Sequence, residues 1–280
     1  MAAALAATGC GGRGRKRVAV IPKGTSHVFW LSVQAGAVAA GKEFDLDVEW
    51  NGPAQETEFA RQIQILDSMV ARRVDGIAIA AADRKALVQS VDRATAAGIP
   101  VTVFDSGLDS TNYMSYVATD NVDGGRLAAR ALARAIGGKG KVAVIQHVPG
   151  SVSTSDRENG FEEALGKEFP QIKIVQKLYG MSDRGKSRAA AENIMTANPD
   201  LDGFFCSTEP SSTGTALALK GREVAGKVKM VGFDSNETMI EDLRSGVIYA
   251  TVVQDPFKIG YEAVRTLAMK LRGDEPPKRM

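Results

Sequence analysis

Arg17-Val18-Ala19-Val20-Ile21 returns further along the chain as Lys141-Val142-Ala143-Val144-Ile145, a basic residue leading a short apolar run in both places. The echo continues in order. Val74-Asp75-Gly76 is matched by Leu201-Asp202-Gly203, and Phe104-Asp105-Ser106 by Phe233-Asp234-Ser235, at an offset of roughly 125 residues. Two similar lobes are implied. In open α/β sheets the functional crevice lies beyond the carboxyl ends of the strands, where both Phe-Asp-Ser triplets fall. A cleft between the lobes would therefore receive one aspartate from each.

The segments between these landmarks alternate in period. Val18 to Pro22, Asp47 to Trp50, Gly76 to Ala82 and Val101 to Phe104 read as strands. Trp30 to Phe44, Glu56 to Arg72 and Lys85 to Ala97 carry apolar residues at helical spacing between them. The second half repeats the alternation, with strands at Val142 to Gln146, Lys173 to Leu178, Gly203 to Cys206 and Val228 to Phe233. Its helices are expected at Arg157 to Phe169, Ser187 to Ala197 and Thr213 to Leu219. Gly124-Gly125 reads as the start of a helix crossing into the second lobe, capped by Asp120 or Asn121. Buried strands alternating with amphipathic helices call for parallel sheets covered on both faces, so the expected fold is α/β with two doubly wound lobes.

Composition agrees with that fold and removes several functions. A chain of 280 residues with 44% hydrophobic and 24% charged residues can bury two ordinary cores. Its 35 basic and 33 acidic residues leave a net charge of only +2, so no field tracks a nucleic-acid backbone. Residues 1–16 form a distinct leader in which small apolar residues precede Cys10, as at the end of a lipoprotein signal. Cys206 sits in an apolar strand and reads as a buried thiol. Two cysteines in such different settings suggest neither a disulfide nor a metal site.

Asp105 and Asp234 are the leading binding candidates, because a carboxylate at a strand end accepts hydroxyl hydrogen bonds. Capping of the following turn is the alternative use of Asp-Ser, and recurrence at equivalent places favours a ligand. The loop Pro22 to Trp30 gathers Lys23, His27, Phe29 and Trp30 at the cleft mouth, combining donors with aromatic faces. One of the two aromatics is expected to pack its helix instead, and His147 is a weaker candidate. Gly180 to Ser187 matches the phosphate-loop pattern G-x-x-x-x-G-K-[ST], but its Asp183 would occupy the phosphate position. Helix capping by Ser182 or Asp183 explains the same letters. No nucleophile-and-base set emerges, so no catalytic residue, cofactor or metal is expected.

Taken together, Val-Ala-Val-Ile-Pro, Gly98-Ile99-Pro100-Val101, Phe104-Asp105-Ser106, Thr119-Asp120-Asn121, Arg157 with Gly160-Phe161, Asn198-Pro199-Asp200, Val231-Gly232-Phe233-Asp234 and Gln254-Asp255-Pro256 resemble the type I periplasmic sugar-binding proteins of the ribose-binding and LacI-like superfamily. The likeness runs from residue 17 to about 275. It implies an extracytoplasmic, monomeric receptor that closes on a small sugar or sugar-like solute and delivers it to an ABC permease. Anchoring through a lipidated Cys10 is a further implication. The lobes would comprise 17–119 with 255–280, and 120–254. Three hinge crossings are implied, the last near the C-terminus, although the chain stops soon after Pro276-Pro277.

By the same resemblance Asp105, Asp234 and Gln254 stand at hydroxyl-binding positions and Phe29 at a ring-stacking one. Ser106, Ala80, Ser155, Ser182 and Thr208 replace an arginine, an asparagine, a second arginine, a phenylalanine and an asparagine, which points away from ribose itself. Locally, Ile21-Pro22-Lys23, Asn51-Gly52-Pro53 and Tyr179-Gly180-Met181-Ser182-Asp183 resemble the autoinducer-2 and rhamnose receptor branch. That likeness adds Lys23 and Asp156 to the contacts, with Arg157 where the branch has a glutamine, and implies a ligand with partial negative charge near Lys23. The regulator domain of LacI type shares the fold, but the residues before Arg17 cannot hold a helix-turn-helix.

Overall fold

The computed structural model describes residues 14–280, so Cys10 and most of the leader lie outside the described residues. Two five-stranded parallel sheets carry the same strand order. The first runs β2 (Leu46–Trp50), β1 (Lys16–Ile21), β3 (Gly76–Ile79), β4 (Val101–Phe104) and β5 (Ser115–Val117). The second runs β7 (Ile172–Tyr179), β6 (Gly140–Gln146), β8 (Gly203–Cys206), β9 (Lys229–Phe233) and β10 (Ala250–Val252). The internal repeat is thus a repeat of topology.

Helices cover both faces of each sheet, as the continuous apolar strands require. On β1, Val18 and Val20 enter one core while Ala19 and Ile21 enter the other. On β6, Val142 and Val144 divide from Ala143 and Ile145 in the same way. Helices α1 (Val28–Phe44), α2 (Phe59–Ala71) and α3 (Val88–Ala96) follow the first three strands. The second sheet is served by α4 (Asn121–Ala135), α5 (Val152–Glu168), α6 (Arg184–Ala197), α7 (Glu209–Gly221) and α8 (Glu237–Arg244). The last helix, α9 (Pro256–Arg272), returns to the first sheet and packs along α1.

Both crossings between sheets are built alike. The chain leaves β5 through Asp120, whose side chain accepts from Asp123 N and caps α4, and leaves β10 through Asp255, which accepts from Lys258 N and caps α9. Each crossing helix then sits against the first long helix of its lobe at a glycine. A Cβ on Gly125 of α4 would lie 2.0 Å from Arg157 O, and one on Gly260 of α9 would lie 2.0 Å from Val33 O. Across the gap Thr119 Oγ1 donates to Gln254 Oε1 at 2.6 Å, tying the two crossing segments together. No third crossing occurs among the described residues. Instead Tyr116 N donates to Lys278 O and Met280 N to Tyr116 O, so the chain end runs beside β5.

Cys206 is fully buried and donates to Thr215 Oγ1 at 3.2 Å, and burial pushes its thiol up to about 12. The phosphate-loop letters are spent on a helix cap. Asp183 Oδ1 accepts from Lys186 N at 2.7 Å, and Ser187 Oγ donates to Asp183 O at 2.7 Å. The position a phosphate would take at this helix start is filled by the chain's own carboxylate.

Candidate functional site

Asp105 and Asp234 occupy one crevice, reached from opposite sheets. The backbone explains how. Both residues adopt the left-handed conformation, with φ of 54° and 69°, immediately after β4 and β9. Each amide is held by the neighbouring edge strand, Asp105 N donating to Val117 O and Asp234 N to Val252 O, both at 2.8 Å. The three-residue strands β5 and β10 therefore fix the turn that swings each carboxylate out of its sheet and into the cleft. Aspartate tolerates this conformation better than most side chains, which is a local reason for its presence twice.

The crevice between the lobes is narrow, with a volume of about 30 Å³, and is lined by Lys23, His27, Phe29, Trp30, Glu56, Asp105, His147, Arg157, Thr208, Glu209, Pro210, Asp234 and Gln254. That is room for a water or two, well below the roughly 300–1,000 Å³ of ligand sites, because the two walls are closed on one another. Of the residues singled out in the sequence, Ser155 and Asp156 are not among this lining. Helix α5 begins at Val152, five residues before the expected start, and Ser153 and Arg157 lie one turn apart on it. Asp156 is half-buried, and burial lifts its pKa against the opposing charges of Arg84 and Arg279. Trp30 is buried and packs edge-to-face with Phe29 at 5.0 Å between centroids, so it is the aromatic that seats its helix.

On the first lobe, Lys23 is enclosed rather than solvated. Its Nζ lies 3.0 Å from Asp105 Oδ2 and 3.7 Å from Glu56 Oε2, and it donates across the cleft to Ser151 Oγ at 3.4 Å and Ser153 Oγ at 3.2 Å. Glu56 carries no signal of its own in the sequence, where it reads as the start of an amphipathic helix. It accepts from Trp30 Nε1 at 3.0 Å and bonds His147 Nε2 at 2.9 Å. Burial alone would raise its pKa, but the charges of His147 and Lys23 together outweigh burial and hold the carboxyl well below its usual range.

On the second lobe, Asp234 accepts from Gln254 Nε2 at 2.6 Å and from Glu209 N at 3.1 Å. Burial raises its pKa, outweighing the nearby Arg157 and the Gln254 hydrogen bond. Arg157 donates to Asn121 Oδ1 at 2.8 Å and Ser207 O at 3.0 Å, and its guanidinium lies 3.9 Å from the Phe233 ring centroid. Thr208 is engaged with Ser211 Oγ at 3.1 Å. Glu209 accepts from Arg184 Nη2 at 2.6 Å, from Thr213 Oγ1 at 3.1 Å and from Asn236. His27 bonds Ser182 Oγ at 3.0 Å and stands 3.8 Å from Glu209 Oε2. No triplet of metal-ligating side chains occurs among the described residues.

Several of these contacts join the lobes directly: Lys23 with Ser151 and Ser153, His27 with Ser182, and Glu56 with His147. The lobes are therefore drawn together over the crevice. Two homologous α/β lobes, linked by paired crossings and shut over a small polar cavity, define a protein that captures a solute between its halves.

The family comparison places the chain within that class. Residues 18–275 match the model described as a periplasmic binding protein domain, and the chain belongs to this family, as a type I sugar-binding member. It is 30% identical over 270 residues to the D-ribose/D-allose-binding protein of Pseudomonas aeruginosa, covering 94% of this chain and 84% of that protein. Among solved structures, it resembles the carbohydrate transporter solute-binding protein of Agrobacterium radiobacter in complex with D-arabinose, with TM-score 0.93, 33% identity and coverage of 96% and 92% of the two chains. An ABC transporter solute-binding protein of Agrobacterium vitis with bound D-fucose gives TM-score 0.91 at 35% identity, covering 94% and 92%.

Proposed function

We propose that this chain is the extracytoplasmic receptor of an ABC importer, closing its lobes on a small sugar or sugar-like polyhydroxylated solute and presenting the closed form to a membrane permease. The observation that carries this reading is the pair of left-handed aspartates, Asp105 and Asp234, aimed into one cavity from equivalent strand ends. A carboxylate on each side can accept hydroxyl hydrogen bonds from both edges of a ring, and these contacts are complete only when the lobes meet. The sugars named with the relatives, D-ribose, D-allose, D-arabinose and D-fucose, are single rings with hydroxyls on both edges, in keeping with carboxylates on both walls of the crevice.

In this reading Lys23, Asp105 and Phe29 contact the ligand from the first lobe, and Arg157, Thr208, Asp234 and Gln254 from the second and the crossing. Trp30 and His27 form the wall and the mouth. Function is binding and release rather than catalysis, and closure is a population shift. A ligand preferring the closed form by about 5 kcal/mol carries a 1:99 mixture to 99:1. A thermal-shift screen over pentoses, hexoses, deoxysugars, polyols and autoinducer-2 tests the reading. At a concentration 100 times Kd, a true ligand stabilises by about 2.7 kcal/mol, a Tm rise of roughly 5–10 °C. Stabilisation by none of these, with stabilisation by a ligand of another class, overturns it.

A further inference from the structure

Three buried side-chain polar atoms among the described residues lack a hydrogen-bond partner, and all three belong to residues lining this one cavity: Asp105 Oδ2, His147 Nδ1 and Glu209 Oε2. The parent residues are 3%, 2% and 1% exposed. Lys23 Nζ neutralises Asp105 Oδ2 from 3.0 Å as an ion pair, yet that oxygen accepts no aligned hydrogen bond. Leaving such atoms unpaired is costly, and water or a ligand normally satisfies them. Asp105 is a ligand contact already expected from the sequence. Glu209 and His147 answer to no such strong expectation, and each has its other polar atom anchored by the protein. Arg184, Thr213 and Asn236 all bind Glu209 Oε1, leaving Oε2 free, while Glu56 binds His147 Nε2, leaving Nδ1 free.

We propose that Glu209 and His147 are specificity-determining ligand contacts, and that with Asp105 they select a neutral sugar presenting hydroxyl groups to both lobes while rejecting sugar acids. This inference rests on the sugar-receptor reading. Asp105 Oδ2 and Glu209 Oε2 are acceptors on opposite sides of the cavity, so a bound ring donates one hydroxyl to each. His147 Nδ1 accepts a third hydroxyl when its proton sits on Nε2 toward Glu56, and donates to one when the ring is charged.

Charge supplies the rejection. The lining holds four carboxylates, Glu56, Asp105, Glu209 and Asp234, against two fixed cations, Lys23 and Arg157, and two imidazoles, His27 and His147, which already face Glu209 and Glu56. Both cations are already committed, Lys23 to Asp105 and the cross-cleft serines, Arg157 to Asn121, Ser207 and the Phe233 face. A ligand carboxylate would enter a site whose lysine and arginine are both engaged and whose two walls carry carboxylates, which disfavours it in a low-dielectric space. The partial negative charge near Lys23 implied by the local sequence likeness is therefore replaced by a neutral ligand.

Isothermal titration of the wild-type chain with D-ribose, D-allose, D-arabinose, D-galactose and D-fucose identifies the sugars that bind. Each is then compared with its monodeoxy analogues and with the aldonate or uronate of the same stereochemistry. The acid is expected to bind at least roughly 100-fold more weakly than its neutral counterpart. Glu209→Gln is expected to weaken the neutral sugar roughly 10- to 100-fold, and the deoxy analogue that costs most in the wild type should cost little further in that variant. His147→Gln should show the same non-additivity with a different hydroxyl. Because Glu209 also anchors Arg184 and Asn236, apo melting is measured in parallel. Should the variant not fold, the acid and deoxy comparisons on the wild type decide alone. Equal binding of acid and neutral sugar, or a folded Glu209→Gln whose Kd stays within twofold, overturns this inference and leaves the receptor reading standing. No binding of any sugar by the wild type overturns both.

Discussion

Replacing Glu56 by glutamine separates closure from folding. One carboxylate oxygen accepts from Trp30 within the first lobe at 3.0 Å, and the other meets His147 of the second lobe at 2.9 Å. Opening the cleft breaks only the second contact. A hydrogen bond to a charged group contributes about 1.5–3 kcal/mol, against about 0.5–1.5 kcal/mol for a neutral pair. Glutamine keeps the shape and an acceptor but forfeits the charge, so the closed form loses about 1–1.5 kcal/mol relative to the open one, roughly tenfold in the closing equilibrium. Lys23 remains compensated because Asp105 lies 3.0 Å from it. Ligand Kd by isothermal titration should therefore rise roughly tenfold while apo melting changes little, and small-angle scattering should find a larger radius at equal ligand occupancy. A Kd within twofold of wild type would show that the Glu56 to His147 contact does not hold the cleft shut.

The same carboxyl sets a pH dependence. Its pKa is lowered in the closed form, so its stabilisation is present above the ordinary value of 4.5 and is lost as pH falls below it. Affinity measured from pH 6 to pH 4 should weaken in the wild type and change less in Glu56→Gln; an unchanged slope in the variant refutes the assignment. Asp234 works in the opposite sense, since burial raises its pKa above 3.8 and its contribution is lost as pH rises through the raised value. Asp234→Asn should accordingly remove a loss on the alkaline side of that range, while abolishing most ligand affinity. At Asp105, φ of 54° makes alanine costlier than asparagine for the backbone, by about 1–2 kcal/mol, visible as a lower apo Tm for Asp105→Ala than for Asp105→Asn. Gly125→Ala drives a Cβ to 2.0 Å from Arg157 O and should cost about 1–3 kcal/mol, read as an earlier urea midpoint; a neutral result would mean that α4 and α5 separate freely.

How much of the fold and the site is legible in the sequence depends on the range over which each signal acts. Strands β4 and β8 carry the limits the sequence suggests, because continuous apolar runs bounded by turns are a local signal. The shared crevice for Asp105 and Asp234 is also readable, since a repeat converts one placement into two. Strands β5 and β10 are not. Ser115–Val117 and Ala250–Val252 are three residues long and only partly apolar, so nothing in their own letters marks them. Their significance is entirely in their partners, because their carbonyls hold the two aspartate amides. The sequence starts helix α5 five residues late because Ser151 to Ser155 carry no apolar period.

Glu56, His147 and Glu209 mark the deeper limit. Each is a polar residue beside an element terminus, where side chains mostly cap a helix or face water, and only the meeting of two lobes turns them into cavity walls. The repeat itself explains why they differ between lobes. Duplication gives each half the same sheet order, the same aspartate turn and the same capped crossing helix, and a cleft made of identical halves would present matched walls. Here the first lobe contributes Lys23 and Glu56 around its aspartate, whereas the second contributes Arg157, Glu209 and Gln254 around its own. A sugar ring has hydroxyls of unlike orientation on its two edges. The lobes agree wherever the backbone must be held and diverge at the side chains that would meet those two edges, so discrimination between sugars should follow the residues that break the repeat.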